Sequence, residues 1–206
     1  MSLSKEREST HWFKKIEQLH PYRMLIYLAM FSSGLVFFFL ATAFVLSQTT
    51  SNSLGQYQMP KSFIISSFMI IGSAFISAQI IPGFLAQDLK KTKRNLAYTL
   101  ALGIFFALFQ FKGWQELAAS GIDFTGLPSG SFLYLLSGIH LFHLAGAMIY
   151  AIILLVSLQN SEQDQVKSLL ILTNPYEKMR LELFSIYWKF MDIVWLILFG
   201  LFLWVF

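Results

Sequence analysis

The chain has 206 residues, 56% of them hydrophobic and only 13% charged, with 22 Phe and no Cys. Soluble domains carry roughly a quarter charged residues, so composition excludes an ordinary soluble fold. The missing cysteines exclude disulfides, iron–sulfur clusters, thiolate zinc and cysteine-bridged copper, and the placement of the +4 net charge, set out below, needs no nucleic-acid partner.

Residues 1–21 read as a polar, mixed-charge tail on the cytoplasmic side. His11, Trp12 and Phe13 suit a short interfacial helix there, and His11 and His20 are most simply exposed. No small-residue cleavage site precedes the first apolar run, which is longer than a signal-peptide core and is expected to stay in the protein. Glu6, Glu8 and Glu17 argue against a mitochondrial transit peptide.

Five spans follow in one membrane domain, residues 22–206: Tyr22–Ser47, Ser62–Leu85, Asn95–Leu117, Ser131–Leu158 and Leu181–Phe206. Each exceeds the ~20 residues that cross ~30 Å of hydrocarbon. Inside lipid the backbone must satisfy its own hydrogen bonds, so the fold class is an all-α polytopic bundle. Pro82, near the end of the second span, is expected to kink at most its last turn.

The basic residues set the topology. The tail and span entry hold Lys5, Arg7, Lys14, Lys15 and Arg23; the second connection holds Lys90, Lys91, Lys93 and Arg94; the fourth holds Lys167, Lys178 and Arg180. These twelve of the fifteen Lys and Arg fall on one side if the spans alternate. The positive-inside rule then places the amino terminus in the cytoplasm and the carboxy terminus outside. Ser73 with Ser77, Ala74 with Ala78, and Gly103 with Ala107 are small pairs four apart that let helices pack closely. The Phe-rich runs at Phe37–Phe39 and Phe105–Phe111 read as surfaces for lipid or a partner.

Polar side chains inside spans are costly and so carry information. His140 and His143 lie three apart in SGIHLFHLAGAMIY, near one helix face. Lys112 and Glu116 are four apart near the outer surface and can pair, with Trp114 as an interfacial anchor, or Glu116 can turn inward toward His140. In the last span Trp188, Asp192 and Trp195 share one stripe, and Lys189 can neutralise Asp192. Asp192 counted from Arg180 and His143 counted from Ser131 each reach a depth of ~18 Å, which suggests a buried pair. Both membrane histidines sit on one helix and no third His or Cys lies in any span, which disfavours haem or a catalytic metal. Two readings stay open: a supporting subunit held together by these groups, or a small ion or proton carrier using His140, His143 and Asp192.

Three segments carry a resemblance to a known family. They are Gln110, Trp114 and Leu117 followed by Gly121 and Pro128; the run from Ser131 through Ser137, Gly138, His140 and His143 to Gly146; and the run Tyr187, Trp188, Lys189, Phe190, Met191, Asp192, Ile193, Val194, Trp195. In order and spacing they resemble subunit III of the haem–copper terminal oxidases, in its short five-helix form. The resemblance implies a non-catalytic chain, without haem or copper of its own, that packs mainly on subunit I beside subunit II and other subunits. It implies bound phospholipid, support of sustained turnover, and oxygen or proton access, within a proton-pumping complex of a bacterial inner membrane that can belong to a larger supercomplex. The donor would be cytochrome c or, alternatively, quinol. On this reading Trp114, Glu116, His140, His143, Tyr187, Trp188, Lys189, Asp192 and Trp195 are structural polar or lipid contacts, not catalytic, cofactor or metal residues. Two positions depart from the family pattern: Gly34 stands where a glutamate is common, and Lys189 where the family has histidine.

Overall fold

The computed structural model describes residues 21–50, 58–125, 128–162 and 165–206. The tail, with its expected interfacial helix and with His11 and His20, lies outside them. The described residues form helices and connections: α1 (Pro21–Thr50), α2 (Lys61–Ser77), α3 (Ile80–Leu85), α4 (Leu89–Ala119), α5 (Pro128–Glu162), α6 (Gln165–Thr173) and α7 (Pro175–Val205). Taking α2 and α3 together, five helical segments are long and apolar enough to cross a membrane. The chain is an all-α, multi-pass membrane protein.

The helices outrun the apolar stretches because capping signals lie beyond the hydropathy edges. Asp88 caps α4 by accepting from the Lys91 backbone N–H at 2.8 Å, so the helix starts six residues before Asn95 and carries its basic cluster in the first two turns. Asn174 caps α7 by accepting from the Tyr176 N–H at 2.9 Å, and Pro175 supplies the fixed φ of a first helical position. The second span breaks at Ala78–Gln79, rather than kinking at its last turn. Pro82 has no N–H to offer the Ala78 carbonyl, so the ladder fails four residues upstream of the proline. Asn95 Nδ2 donates to the Gln79 carbonyl at 3.3 Å, beside the Gly83 N–H that the same carbonyl accepts at 3.1 Å, and ties the break to α4.

α7 organises the bundle, touching α1, α2, α3, α5 and α6. Trp188 and Trp195 are fully buried at its core, with Trp195 edge-on to Phe63 of α2 and Phe106 of α4. Two glycines of α4 make this packing feasible. A Cβ at Gly113 would sit 2.2 Å from the Phe63 ring, and one at Gly103 would sit 2.8 Å from the Trp188 ring. Phe37 and Phe106 turn inward, whereas Phe38, Phe39, Phe105 and Phe111 face outward as apolar surface. α1 is the outlying helix, with the smallest buried share of the five spans.

Candidate functional site: polar contacts within the bundle

Polar contacts join the helices at successive levels. At the basic end, Arg23 of α1 meets Glu182 of α7 at 2.6 Å, and Lys178 approaches the same carboxylate at 3.6 Å. Arg180 forks onto both Glu177 oxygens at 3.0 and 3.1 Å and reaches the Tyr150 hydroxyl of α5 at 3.5 Å. Beside these groups a groove of about 630 Å³ opens between α1, α5 and α7, lined by Tyr22, Tyr150, Tyr176 and Arg180 together with Leu25, Ala147 and Leu183.

The two histidines come next, and they separate. Three residues at 100° each leave His140 and His143 about 60° apart around α5, enough to aim them at different neighbours. His143 Nδ1 lies 2.8 Å from the Ile139 carbonyl, which can only accept, so Nε2 is free to accept from the Ser33 hydroxyl of α1 at 3.1 Å. His140, fully buried, donates from Nε2 to the Met191 carbonyl of α7 at 3.1 Å. Its ring lies 5.2 Å from Trp195 and 5.6 Å from Phe106, centroid to centroid.

α2 supplies the partners for α7. Ser73 accepts the Trp188 indole N–H at 3.2 Å, and its hydroxyl lies 3.4 Å from Asp192 Oδ1. Ser67 accepts the Trp195 indole N–H at 3.0 Å, and Ser66 accepts from Gln110 Nε2 of α4 at 2.8 Å. At the far end, Glu116 receives the Ser62 hydroxyl at 2.6 Å and the Ser62 backbone N–H at 3.2 Å, capping α2 from a neighbouring helix. Trp114 donates to Ser137 of α5 at 2.9 Å, and the Tyr134 hydroxyl donates to the Ile122 carbonyl at 2.9 Å.

Four expected pairings do not form. Asp192 pairs with Ser73 and not His143, because His143 rotates toward α1 while its neighbour His140 takes the α7 backbone. Lys189 makes no ion pair with Asp192: successive positions on α7 diverge by about 100°, so Trp188 points into the bundle while Lys189 points out of it. Lys112 does not hold Glu116, which is taken by Ser62 and does not reach His140. Tyr187 is half-buried and lines the groove.

Sequence reasoning read the α2 serines as packing spacers and missed them as acceptors. The available signal was their number in one apolar span, matched by tryptophans and a glutamine elsewhere. Buried polar atoms without a partner among the described residues include Gln110 Oε1, His140 Nδ1, Ser185 Oγ and Asp192 Oδ2. Among the described residues, no group of three or more His, Cys, Asp or Glu is placed to hold a metal. The arrangement clamps helices.

No family model matches the chain. Curated relatives do. A protein of Mycobacterium tuberculosis named "Probable cytochrome c oxidase subunit 3" is 29% identical over 133 residues, covering 65% of this chain and 61% of that protein. One of Staphylococcus aureus named "Probable quinol oxidase subunit 3" is 26% identical over 136 residues, covering 66% and 63%. The chain is homologous to oxidase subunit 3. The match spans about three fifths of the length of these oxidase subunit 3 relatives. The resemblance carried by Gln110–Leu117, Ser131–Gly146 and Tyr187–Trp195 therefore leads to the same family. In this chain those segments supply Gln110, Trp114, His140, His143, Trp188 and Trp195, each joined to another helix or backbone by a hydrogen bond.

Proposed function

We propose that this chain is a non-catalytic subunit III of a proton-pumping haem–copper oxidase in a bacterial inner membrane. It packs beside subunit I, near subunit II, and supports assembly and sustained turnover. The observation that carries this reading is the homology to oxidase subunit 3, together with intramembrane polar groups engaged in helix–helix contacts. The reaction, reduction of oxygen to water with proton translocation, belongs to the complex, whose haem and copper lie in partner subunits. Electrons come from cytochrome c; the staphylococcal relatives named for a quinol oxidase support quinol as the second reading of the donor.

Phospholipid retention finds support in the groove at the basic end. A guanidinium and four tyrosines line it together with apolar side chains. That lining offers a cation and hydroxyls to an anionic headgroup and apolar surface to acyl chains. The carrier reading has less support, because His143 and Asp192 are engaged with serines on two different helices.

The test is affinity purification of the tagged chain from native membranes, with a visible spectrum and oxygen-consumption assay. A haem-bearing partner and oxidase activity, with reduced-minus-oxidised bands that persist when His143 is replaced by Ala, are the expected result. A chain that purifies without haem-bearing partners, or that moves protons alone in liposomes, would overturn the proposal.

A further inference from the structure

Lys189 is exposed on the outer surface of α7, and no ion pair or hydrogen bond engages it among the described residues. Its depth makes this consequential. A Cβ built at Gly103 would lie 2.8 Å from the Trp188 ring, so the Trp188 indole and Gly103 share one level of the bundle. Gly103 stands nine residues from both Arg94 and Lys112, the charges that bracket the apolar part of α4. At 1.5 Å per residue that level is ~13 Å from either charge, near the middle of the hydrocarbon. Helical side chains lean toward their own amino terminus, so the α-carbon of Trp188, and of Lys189 beside it, lies no nearer the basic end than the indole does. A lysine stem of four carbons and a nitrogen reaches about 6 Å, so snorkelling leaves the ammonium short of either surface.

Among the described residues, the surroundings offer no relief. Asp192, one turn on, faces Ser73 in the core. The outward stripe that holds Lys189 continues through Ile193, Ile197 and Trp204, all more than half exposed. Gly200 lies on the same stripe, and a Cβ there would meet nothing within 4 Å, which leaves room for another backbone to approach closely. An ammonium at mid-membrane on an apolar surface is costly, and a carboxylate on a neighbouring helix is a partner that lowers that cost.

We infer that the outer face of α7 is a docking surface for a membrane-spanning helix of another protein that presents an Asp or Glu to Lys189 at mid-bilayer depth. The inference rests on the depth of Lys189, and on the oxidase proposal only if that partner proves to be an oxidase subunit. Charge complementarity selects the partner's chemistry, and the apolar stripe and Gly200 set the surface it packs on.

The experiment uses the complex in native membranes. A benzophenone amino acid replaces Ile193, and after irradiation the adducts are mapped by mass spectrometry. In parallel, Lys189→Arg, Lys189→Leu and Lys189→Glu chains are purified and the partner retained per chain is measured. The expected result is a crosslink to a membrane-spanning segment containing Asp or Glu. Lys189→Arg should retain the partner, while the other two lose it by on the order of tenfold or more. Lys189→Glu should recover when the mapped acid is changed to Lys. Adducts with lipid alone, or full retention of the partner by Lys189→Leu, would overturn the inference. The visible spectrum of the same material separates the two proposals. A crosslinked partner without haem leaves this inference standing and removes the oxidase reading, whereas a haem-bearing complex with Ile193 in lipid does the opposite.

Discussion

Replacing Glu116 by Ala should loosen the end of the bundle opposite the basic cluster by an amount that the structure allows to be worked out. The Glu116 carboxylate holds the first turn of α2 through the Ser62 hydroxyl at 2.6 Å and the Ser62 N–H at 3.2 Å. A hydrogen bond to a charged group contributes about 1.5–3 kcal/mol net. The negative charge at a helix amino terminus adds about 0.3–1 kcal/mol. The second, longer bond is weaker and shares the same carboxylate, so the whole contact comes to about 2–3 kcal/mol. Glu116→Gln keeps an oxygen that accepts from Ser62 but removes the charge, and should cost about 1 kcal/mol. The assay is reversible unfolding of the purified chain in mixed micelles, run as a double-mutant cycle with Ser62→Ala. A coupling of about 1–1.5 kcal/mol between the two sites is expected, since Ser62→Ala leaves the backbone N–H contact in place. Coupling within about 0.3 kcal/mol of zero would refute the contact. So would a Glu116→Gln chain that unfolds as easily as Glu116→Ala.

Other outcomes follow from the same geometry. Gly113→Ala forces the buried Phe63 ring off Trp195 and should destabilise the bundle by about 1–3 kcal/mol, read as a lower unfolding midpoint, while Gly121→Ala perturbs a connection and leaves that packing intact. His143→Ala removes the Ser33 contact between α5 and α1 and should cost about 0.6–2 kcal/mol, with the haem bands of the complex unshifted; a spectral shift would contradict a purely structural role. Ser67→Ala leaves the buried Trp195 indole N–H without its acceptor and should cost about 1–3 kcal/mol, a loss that Ser67→Thr largely avoids. Arg180→Ala should lower the phospholipid that co-purifies with the chain, measured as phosphorus per mole, whereas Lys112→Ala, far from the groove, should not.

The sequence by itself settled what is decided by solvent. Long apolar blocks can satisfy their backbones only as helices in lipid, so the number of spans and the all-α class were legible from hydropathy. It also marked Trp114, Glu116, His140, His143, Trp188, Asp192 and Trp195 as residues needing partners, since buried polar groups in a membrane rarely stand alone. The Asn174–Pro175 and Asp88 caps were written in the chain too, but hydropathy windows do not register them.

Who pairs with whom was decided only by tertiary structure. Residue spacing gives the angle of a side chain around its own axis and says nothing of which helix stands there. Asp192 was free to meet His143, Lys189 or Ser73 until α2 took the place beside it. Equal depth is necessary for a contact, but depth is one coordinate, and helix neighbours and rotation supply the others. The isolation of Lys189 emerged in the same way: only when the bundle closes around Trp188 does the next residue point where none of the described residues offers it a carboxylate.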